Sequence, residues 1–321
     1  MAYGMQGHLG IGFQSSYGTA MVTSYHYFPL ISESLVETVP ELVSEGMRSR
    51  LDEGNNFVGF KEIAGDIVIE AHPILLGKLV KAWCHITSYV PTAVASHYTH
   101  EFMPAPVDFD AMAAVPPMTL EIYRDAGSAH QYYDCLLNTL TLEIAHGAIV
   151  KATAGIIGGN AGKVVKTAPT YLTGSEWTWD QASIQIGGVA VDEASTMTIT
   201  LTNNLAAKGT LNGTKYANRI KRDGYRTVEI AGTMLFIDDT EFDLYRAQTK
   251  QAFVVNVAGQ ACSSGYNTAI LIDMPEVIYT AFPPNIAGPG QIEAAFTGKA
   301  KYCVGSATAV KFTLTNTLAT Y

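Results

Sequence analysis

Glu62-Ile63-Ala64-Gly65 heads an alternating apolar segment, and the same four residues return as Glu229-Ile230-Ala231-Gly232 before a second such segment. An aromatic and a basic residue precede each copy. The copies are 167 residues apart (229 − 62), about half of the 321-residue chain. A spacing this long exceeds the repeat unit of a solenoid and is typical of a duplicated domain. The sequence therefore predicts two copies of one module.

Strand patterns dominate both halves of the chain. Short runs rich in β-branched and aromatic residues, bounded by Gly, Pro or Asn, predict strands. These runs cover residues 25–31, 67–70, 119–123, 141–144, 197–201, 227–230, 269–272 and 311–315. We therefore expect a mostly β chain made of two tandem sandwich or barrel modules, each with one short α-helix and a long loop.

Two segments depart from the strand pattern, each beginning about eight residues after its copy of the repeat. Residues 73–83 have apolar side chains at helical spacing behind a proline suited to a first turn. Residues 240–253 open with a capping-box-like Thr240-x-x-Asp243. Both segments are predicted helices. The side chains expected to pack them onto the sheets are Leu76, Leu79, Trp83, Phe242 and Tyr245.

Composition shifts divide the chain further. Residues 1–24 are a Gly/Ser/Tyr-rich N-terminal arm, and residues 25–160 are the first module, with an insertion around residues 91–117. Residues 161–183, rich in Gly, Pro and Thr, form a strap between the modules, and residues 184–321 are the second module.

The composition is that of a globular protein whose surface is partly buried against other protein chains. With 48% hydrophobic and only 15% charged residues the chain buries a core, and its low charge favours a surface shared with copies of itself. A net charge of −9 argues against a protein that grips nucleic-acid phosphates, although nucleic acid could slide past it. Four cysteines without a CxxC pair and no secretory leader predict free thiols in a reducing cytoplasm. No apolar run approaches a membrane span.

No motif in the sequence predicts catalysis, a cofactor or a metal. His97-x-x-His100-Glu101 is not the zinc-binding helix pattern. Gly10-x-Gly12 and Gly155-x-x-Gly158-Gly159 lack the Lys and Ser/Thr of a phosphate loop. Ser263-Ser264-Gly265 lacks the strand and helix that surround a hydrolase nucleophile. We therefore expect a structural protein rather than an enzyme.

Two loops in corresponding positions of the halves carry opposite charge. Residues 33–53 hold six carboxylates against two arginines, and residues 203–223 hold five basic residues against one aspartate. Both could be ordinary solvated faces. Alternatively, they meet in an assembly, where opposite potentials fix register. The charged residues proposed for contacts between subunits and rings are Glu33, Glu37, Glu41, Glu45, Arg48, Arg50, Lys208, Lys215, Arg219, Lys221 and Arg222.

Several short motifs resemble those of a known family. They are the opening Gly10-Ile11-Gly12 with Tyr17-Gly18-Thr19, the block from Gly59 to Gly65, and His72-Pro73 followed by Leu76-Gly77. They resemble the major tail tube proteins of siphovirus-type bacteriophages. The resemblance implies a small β-sandwich or barrel with one helix, and rings of six modules stacked into a tube for genome delivery. It also implies that the long loops and terminal arms bridge successive rings.

This resemblance sets the expected partners and location. The chain would be a virion tail protein made and assembled in the host cytoplasm, with no catalytic residues, cofactor or membrane contact. Its partners would be copies of itself, the tape-measure and tail-tip proteins, and genomic DNA that passes without specific binding. If each module fills one of six positions, three chains would close a ring with pseudo-sixfold symmetry.

Two other functions fit parts of the sequence. One is a carbohydrate-binding or receptor-binding β-sandwich of the virion, in which the aromatic rings of Tyr171, Trp177, Trp179 and Tyr266 stack on sugars. The same rings could instead pack the strap between the modules. The other is a distal tail or baseplate component built on the same module.

Overall fold

The computed structural model describes residues 3–21, 25–49, 51–85, 91–94, 97–104, 117–263, 265–286 and 288–321. Strand is the main secondary structure of these residues, which confirms the prediction of a mostly β fold. Arg50, predicted to lie in a contact loop, is outside the described residues.

The first half of the chain contains thirteen strands and one α-helix among its described residues. The strands are β1 (His8–Phe13), β2 (His26–Phe28), β3 (Leu30–Glu33), β4 (Val36–Thr38), β5 (Glu41–Val43), β6 (Asn56–Val58), β7 (Glu62–Glu70), β8 (Thr92–Val94), β9 (His97–Phe102), β10 (Met118–Tyr123), β11 (Ala129–Ala145), β12 (Lys151–Gly158) and β13 (Asn160–Val164). The helix is α1 (Leu75–Cys84). The segment predicted as an arm thus holds β1, and the start of the predicted strap holds most of β13.

The second half contains ten strands and one α-helix among its described residues. The strands are β14 (Ala182–Ile186), β15 (Val189–Val191), β16 (Ala194–Thr202), β17 (Leu205–Lys208), β18 (Arg219–Arg222), β19 (Thr227–Leu235), β20 (Gln251–Ser263), β21 (Tyr266–Ala281), β22 (Glu293–Ala300) and β23 (Lys311–Asn316). The helix is α2 (Thr240–Ala247).

The order of strand pairing in the first half recurs in the second. β1 pairs with β2 and β10, as β14 pairs with β15 and β20. β11 pairs with β10, β12 and β13, as β21 pairs with β20, β22 and β23. β7 lies between β3–β4 and β12, as β19 lies between β16 and β22. All of these pairs are antiparallel.

One sheet runs through both halves. Its strand order is β4–β7–β12–β11–β16–β19–β22–β21, and we call it the central sheet. The halves meet where Thr139–Ala145 of β11 pairs with Thr196–Thr202 of β16 over seven residues. Ladder hydrogen bonds and side-chain pairs therefore continue across this junction without a break.

Apolar side chains on one face of the central sheet form most of the core. Ile67, Leu140, Ile199, Ile230 and Phe296 come from five different strands, and each is at most 1% exposed. They belong to a single buried cluster that extends over both halves. Burying a side chain of this size stabilises the fold by about 1.5–3 kcal/mol relative to an exposed position. Because the cluster includes residues of both halves, this hydrophobic stabilisation is common to the two.

The two helices differ in burial because different elements cover them. All ten residues of α1 are buried, including Leu76, Leu79 and Trp83. β9, which pairs with β23, packs against α1, and the Trp83 ring contacts Phe312 of β23. Helix α2 has no fully buried residue, although its apolar side chains, among them Phe242 and Tyr245, pack against the core cluster. The cover of α1 extends to its two lysines, since Lys78 and Lys81 are buried and Lys81 Nζ donates to the backbone carbonyl of Tyr321 at 2.7 Å.

The second helix is shorter than its sequence predicts. It ends where Gln248 takes a left-handed conformation with φ +52°, and residues 251–253 begin β20. Its N-cap is Asp239, so the predicted capping box starting at Thr240 is wrong. The first-turn amide of Thr240 instead donates to Asp238 Oδ1 at 2.9 Å. The residues between the helix and β20, Gln248-Thr249-Lys250, include no Gly or Pro that would mark the end of the helix in the sequence.

The repeated glycine has one structural reason in both halves. A Cβ on Gly65 would come within 2.5 Å of the backbone of Ser34 and Leu35, and a Cβ on Gly232 would clash with the carbonyl of Thr196. Both positions face an irregularity in the neighbouring strand, β3–β4 in one case and β16 in the other. Only glycine allows two backbones to approach this closely.

We predict that Gly232→Ala lowers the free energy of unfolding by about 1–3 kcal/mol, because the added methyl forces β16 and β19 apart. Gly65→Ala should act in the same way. Gly162→Ala is the matched control, since nothing lies within 4 Å of its Cβ position. Urea unfolding followed by circular dichroism measures all three. Equal stability of Gly232→Ala and Gly162→Ala would contradict the explanation of the repeat.

Candidate functional site: a threonine-rich sheet face and two hairpins

The face of the central sheet that points away from the core is lined mainly by threonine. Residues that alternate with the buried ones along each strand lie on this face, which we call the outer face. Its threonines are half-buried or exposed, and they include Thr139, Thr141, Thr153, Thr196, Thr198, Thr200, Thr202, Thr227, Thr233 and Thr297. Short β-branched hydroxyl side chains favour strands and form an even, polar surface.

Carboxylates outnumber basic groups on the outer face. The acidic residues at its described positions are Glu62, Asp66, Glu70, Glu143, Glu229 and Glu293, and the basic ones are Lys151 and Lys299. Lys299 Nζ lies 2.7 Å from Glu229 Oε1, so part of this positive charge is already neutralised. The face is thus acidic overall and repels a polyanion.

Each end of the central sheet presents a strand that is paired on one side. Among the described residues, β4 pairs with β7 alone, and residues 278–281 of β21 pair with β22 alone. The chain then continues as Pro283-Pro284, and proline cannot donate to a strand ladder. One edge is therefore short and the other ends at prolines, and both features limit uncontrolled strand pairing.

Two hairpins project from the corresponding loops of the two halves. β5–β6 lies between β4 and β7, and β17–β18 lies between β16 and β19. All six residues of β5 and β6 are exposed. In the second hairpin, Leu205 and Ile220 are buried in a cluster with Leu136 of β11. The second hairpin is therefore anchored on the first half of the same chain, whereas the strands of the first hairpin stand in solvent.

A contact at Glu37 joins the two oppositely charged loops. Glu37 Oε1 accepts hydrogen bonds from Lys61 Nζ at 2.8 Å and from Tyr216 Oη at 2.7 Å. Lys61 N donates to Lys215 O at 2.7 Å. Burial raises the pKa of Glu37, but the two hydrogen bonds outweigh burial and hold this pKa below its ordinary value. The loop of the second half is thus fixed to the base of the loop of the first.

The other predicted loop residues are not brought together in one chain. Glu33 receives two hydrogen bonds from Arg124, at 2.7 and 2.9 Å, and is part of the body of the first half. Lys208 lies 3.4 Å from Asp223 across the second hairpin. The exposed members of the set are Glu41, Glu45, Arg48, Lys208, Lys215 and Arg219, and the half-buried members of the second loop are Lys221 and Arg222.

The aromatic rings considered for sugar binding do not form one platform. Trp177 is 1% exposed. Its backbone N–H donates to the carbonyl of Ala71, and its carbonyl accepts from the backbone N–H of Val150. The remaining three rings each lie against a different partner, Trp179 against His146, Tyr171 against Tyr27, and Tyr266 against His97. Trp177 therefore packs the connection between the halves, as the structural alternative predicts.

The histidines of the His97-x-x-His100 motif are buried in aromatic surroundings. His97 is 1% exposed and lies 4.0 Å from the Tyr266 ring, and His100 lies 4.7 Å from the Tyr321 ring. Burial lowers the pKa of His100. The described part of the chain contains no group of three or more side chains placed to hold a metal ion. Within the same residues, no helix has the length and apolarity needed to cross a membrane.

Sequence reasoning missed a buried polar cluster that holds the N-terminal segment. The carboxylate of Asp134 accepts hydrogen bonds from Gln14 Nε2 at 2.9 Å, Gly18 N at 2.7 Å and Asn160 Nδ2 at 2.7 Å. Asp134 is fully buried and has φ +57°, a conformation that is uncommon for aspartate. Because Gln14 and Asp134 are 120 residues apart, no local pattern could reveal this cluster.

Comparison with known proteins identifies one family. The family model described as phage tail tube protein matches residues 4–300 of this chain. A search of curated proteins finds no match.

We predict that Tyr216→Phe destabilises the protein by about 1 kcal/mol, because Glu37 loses one of its two hydrogen-bond donors. The pKa of Glu37 should rise at the same time, since that bond favours the ionised carboxylate. Tyr225→Phe is the control, because the Tyr225 side chain is 92% exposed. Thermal unfolding and NMR titration of the Glu37 carboxyl measure the two effects. A Glu37 pKa that is the same in both variants would show that the bond to Tyr216 does not form.

Proposed function

This chain belongs to the phage tail tube protein family, and on that premise we propose that three copies close into a ring of six modules. The protein is a structural subunit of the phage tail tube, and the family places it in the virion tail, where it assembles with copies of itself. The proposal also assigns the surface that faces the genome and a role without catalysis.

The repeated order of strand pairing supports a ring of three. If the two halves are copies of one module, the β11–β16 junction is a contact between neighbouring modules that happens to lie within one chain. The corresponding contact between chains would bring the end of β21 to the free edge of β3–β4. Both edges are paired on one side only among the described residues. Closure into a ring removes such edges.

The outer face of the central sheet supports the role of a conduit lining. A ring built by repeating the β11–β16 junction would make the central sheets of its copies continuous. Their outer faces would then form a wall of threonines and carboxylates, with Lys151 and Lys299 as the basic side chains at its described positions. Such a wall offers few groups for phosphates to bind, so DNA passes without being held.

Assembly in the host cytoplasm on a tail-tip template, around a tape-measure protein, is the remaining part of this proposal. The support for this mode of assembly is membership of the phage tail tube protein family. The chain would act without catalytic residues, because its role is to form and line the tube.

Native mass spectrometry of isolated rings tests the stoichiometry. We expect a mass equal to three chains of 34.5 kDa each. Electron micrographs of a ring viewed along its axis should show six lobes of density, because each chain supplies two modules. Rings that contain six chains would contradict the proposal, and so would threefold density without pseudo-sixfold features.

A charge substitution tests the lining. We expect tubes of Thr198→Lys to retain duplex DNA at low salt and release it at high salt, because lysines on the outer face pair with phosphates. Thr198→Glu is the matched control and should retain no more DNA than the wild type. The measurement is co-sedimentation of DNA fragments with tubes. If Thr198→Lys tubes retain no more DNA than Thr198→Glu tubes, the outer face does not line the bore.

A further inference from the structure

The loop that joins β17 and β18, residues 209–218, carries an Asn-Gly pair near its tip. Asn212 is the one asparagine of the chain that a glycine follows. It lies in a run of exposed residues, 208–215, next to the fully exposed side chain of Leu211. Asn-Gly is a common turn sequence, so the pair by itself has a structural explanation. Its geometry in this loop has a chemical consequence as well.

The backbone that follows Asn212 is unobstructed. Gly213 has φ +80°, a left-handed conformation that glycine adopts without strain. Nothing lies within 4 Å of the position that a Cβ on Gly213 would take. The amide nitrogen of Gly213 therefore has no side chain beside it to hinder its approach to the side chain of Asn212.

The side chain of Asn212 is folded over this backbone. Asn212 Oδ1 accepts a hydrogen bond from Thr214 N at 3.3 Å, the arrangement of an Asx turn. This turn places the side-chain carbonyl carbon, Asn212 Cγ, on the same side as Gly213 N. The N–H of Thr214 also polarises the carbonyl, and it would stabilise negative charge that develops on Oδ1. The turn thus brings an attackable carbon, a nitrogen and a donor to the oxygen into one place.

A second asparagine of the same loop lacks this arrangement. Asn218 is half-buried, and its Nδ2 donates to Thr210 Oγ1 at 2.8 Å. The residue that follows it is Arg219, the first residue of β18. The side chain of Asn218 is therefore held by a hydrogen bond, and the next amide belongs to a strand. The two asparagines can be compared within one chain.

We propose that Asn212 is a site of deamidation in the folded protein. Hydroxide removes the proton of Gly213 N, and this nitrogen attacks Asn212 Cγ. A bond forms between the two atoms, the bond from Cγ to Nδ2 breaks, and ammonia leaves with a proton from water. The product is a succinimide ring. Water then breaks one of the two ring bonds to the nitrogen, which gives aspartate or isoaspartate at position 212.

The reaction lies outside the contacts that hold the loop in place. Lys61 N donates to Lys215 O at 2.7 Å, and Tyr216 Oη donates to Glu37 Oε1 at 2.7 Å. Asn212 takes part in neither bond, so we expect the loop to stay anchored while it gains one carboxylate. The reaction takes place within one chain and does not depend on ring formation.

Peptide mass mapping of the full-length protein tests the reaction. The folded chain is incubated at mildly alkaline pH, then unfolded and digested with trypsin, which places the two asparagines in separate peptides, residues 209–215 and 216–219. We expect the first peptide to gain the mass of an acid in place of an amide about tenfold faster than the second or more, because only Asn212 has both the glycine and the donor to Oδ1. Aspartate and isoaspartate should both appear. The rate should rise with pH, because Gly213 N must lose its proton.

Variants and an unfolded reference separate the causes. Asn212→Gln should abolish the fast reaction, since attack on the longer side chain requires a larger ring. Gly213→Ala should slow it, because the added methyl hinders the nitrogen, and circular dichroism checks that this variant is folded. Asn218→Gln is the matched control and should leave the reaction at Asn212 unchanged.

The chain unfolded in guanidinium chloride gives the rate of an unstructured Asn-Gly pair, and the folded protein should react at a comparable rate. If the folded protein reacts roughly tenfold more slowly or worse, the turn protects Asn212 and the inference is overturned. Aspartate without isoaspartate would also overturn it, because direct hydrolysis of the amide gives that product alone.

Discussion

The structure depends on the pairing of β11 with β16. This seven-residue ladder makes one sheet out of the two halves. The β9–β23 pair, the Glu37–Tyr216 contact and the packing of the second hairpin on the first half are further links between them. Because backbone groups at a strand edge must find partners, the ladder fixes the register of one half on the other. It also places the side chains of both halves in one core and one outer face.

At the two ends of the central sheet, among the described residues, the backbone groups of one strand edge have no partner strand. In the proposed ring, β3–β4 and the end of β21 are the places where a further half joins. The shortness of β3 and β4 and the prolines after Ala281 limit premature pairing. The two hairpins differ in the same way. The hairpin β17–β18 packs on the first half, whereas the strands of the hairpin β5–β6 are exposed. In the proposed ring, the next copy of this tail tube subunit covers these edges.

The degree to which each helix is buried depends on the elements that pack over it and not on its position in the repeat. Both halves have a helix at the same position, yet α1 is fully buried beneath β9 and β23, whereas α2 is partly open. The cover decides this difference, because α1 includes Lys78 and Lys81, which the surrounding elements bury all the same. The Glu37 contact shows the same dependence on neighbours. Burial raises the pKa of this carboxyl, but hydrogen bonds from Lys61 and from Tyr216 of the second loop outweigh burial and lower it.

The sequence by itself determined the β class, both helix positions and the family, because alternation, helical spacing and the repeated Glu-Ile-Ala-Gly are local patterns. It also separated the acidic loop from the basic one. Only the tertiary structure decided where α2 ends, how residues 8–13 join a sheet, and why Gly65 and Gly232 must be glycine. It alone brought Tyr216 to Glu37 and Gln14 to Asp134. These contacts join residues far apart in the chain, and their partners are set by strand register, which no local pattern encodes.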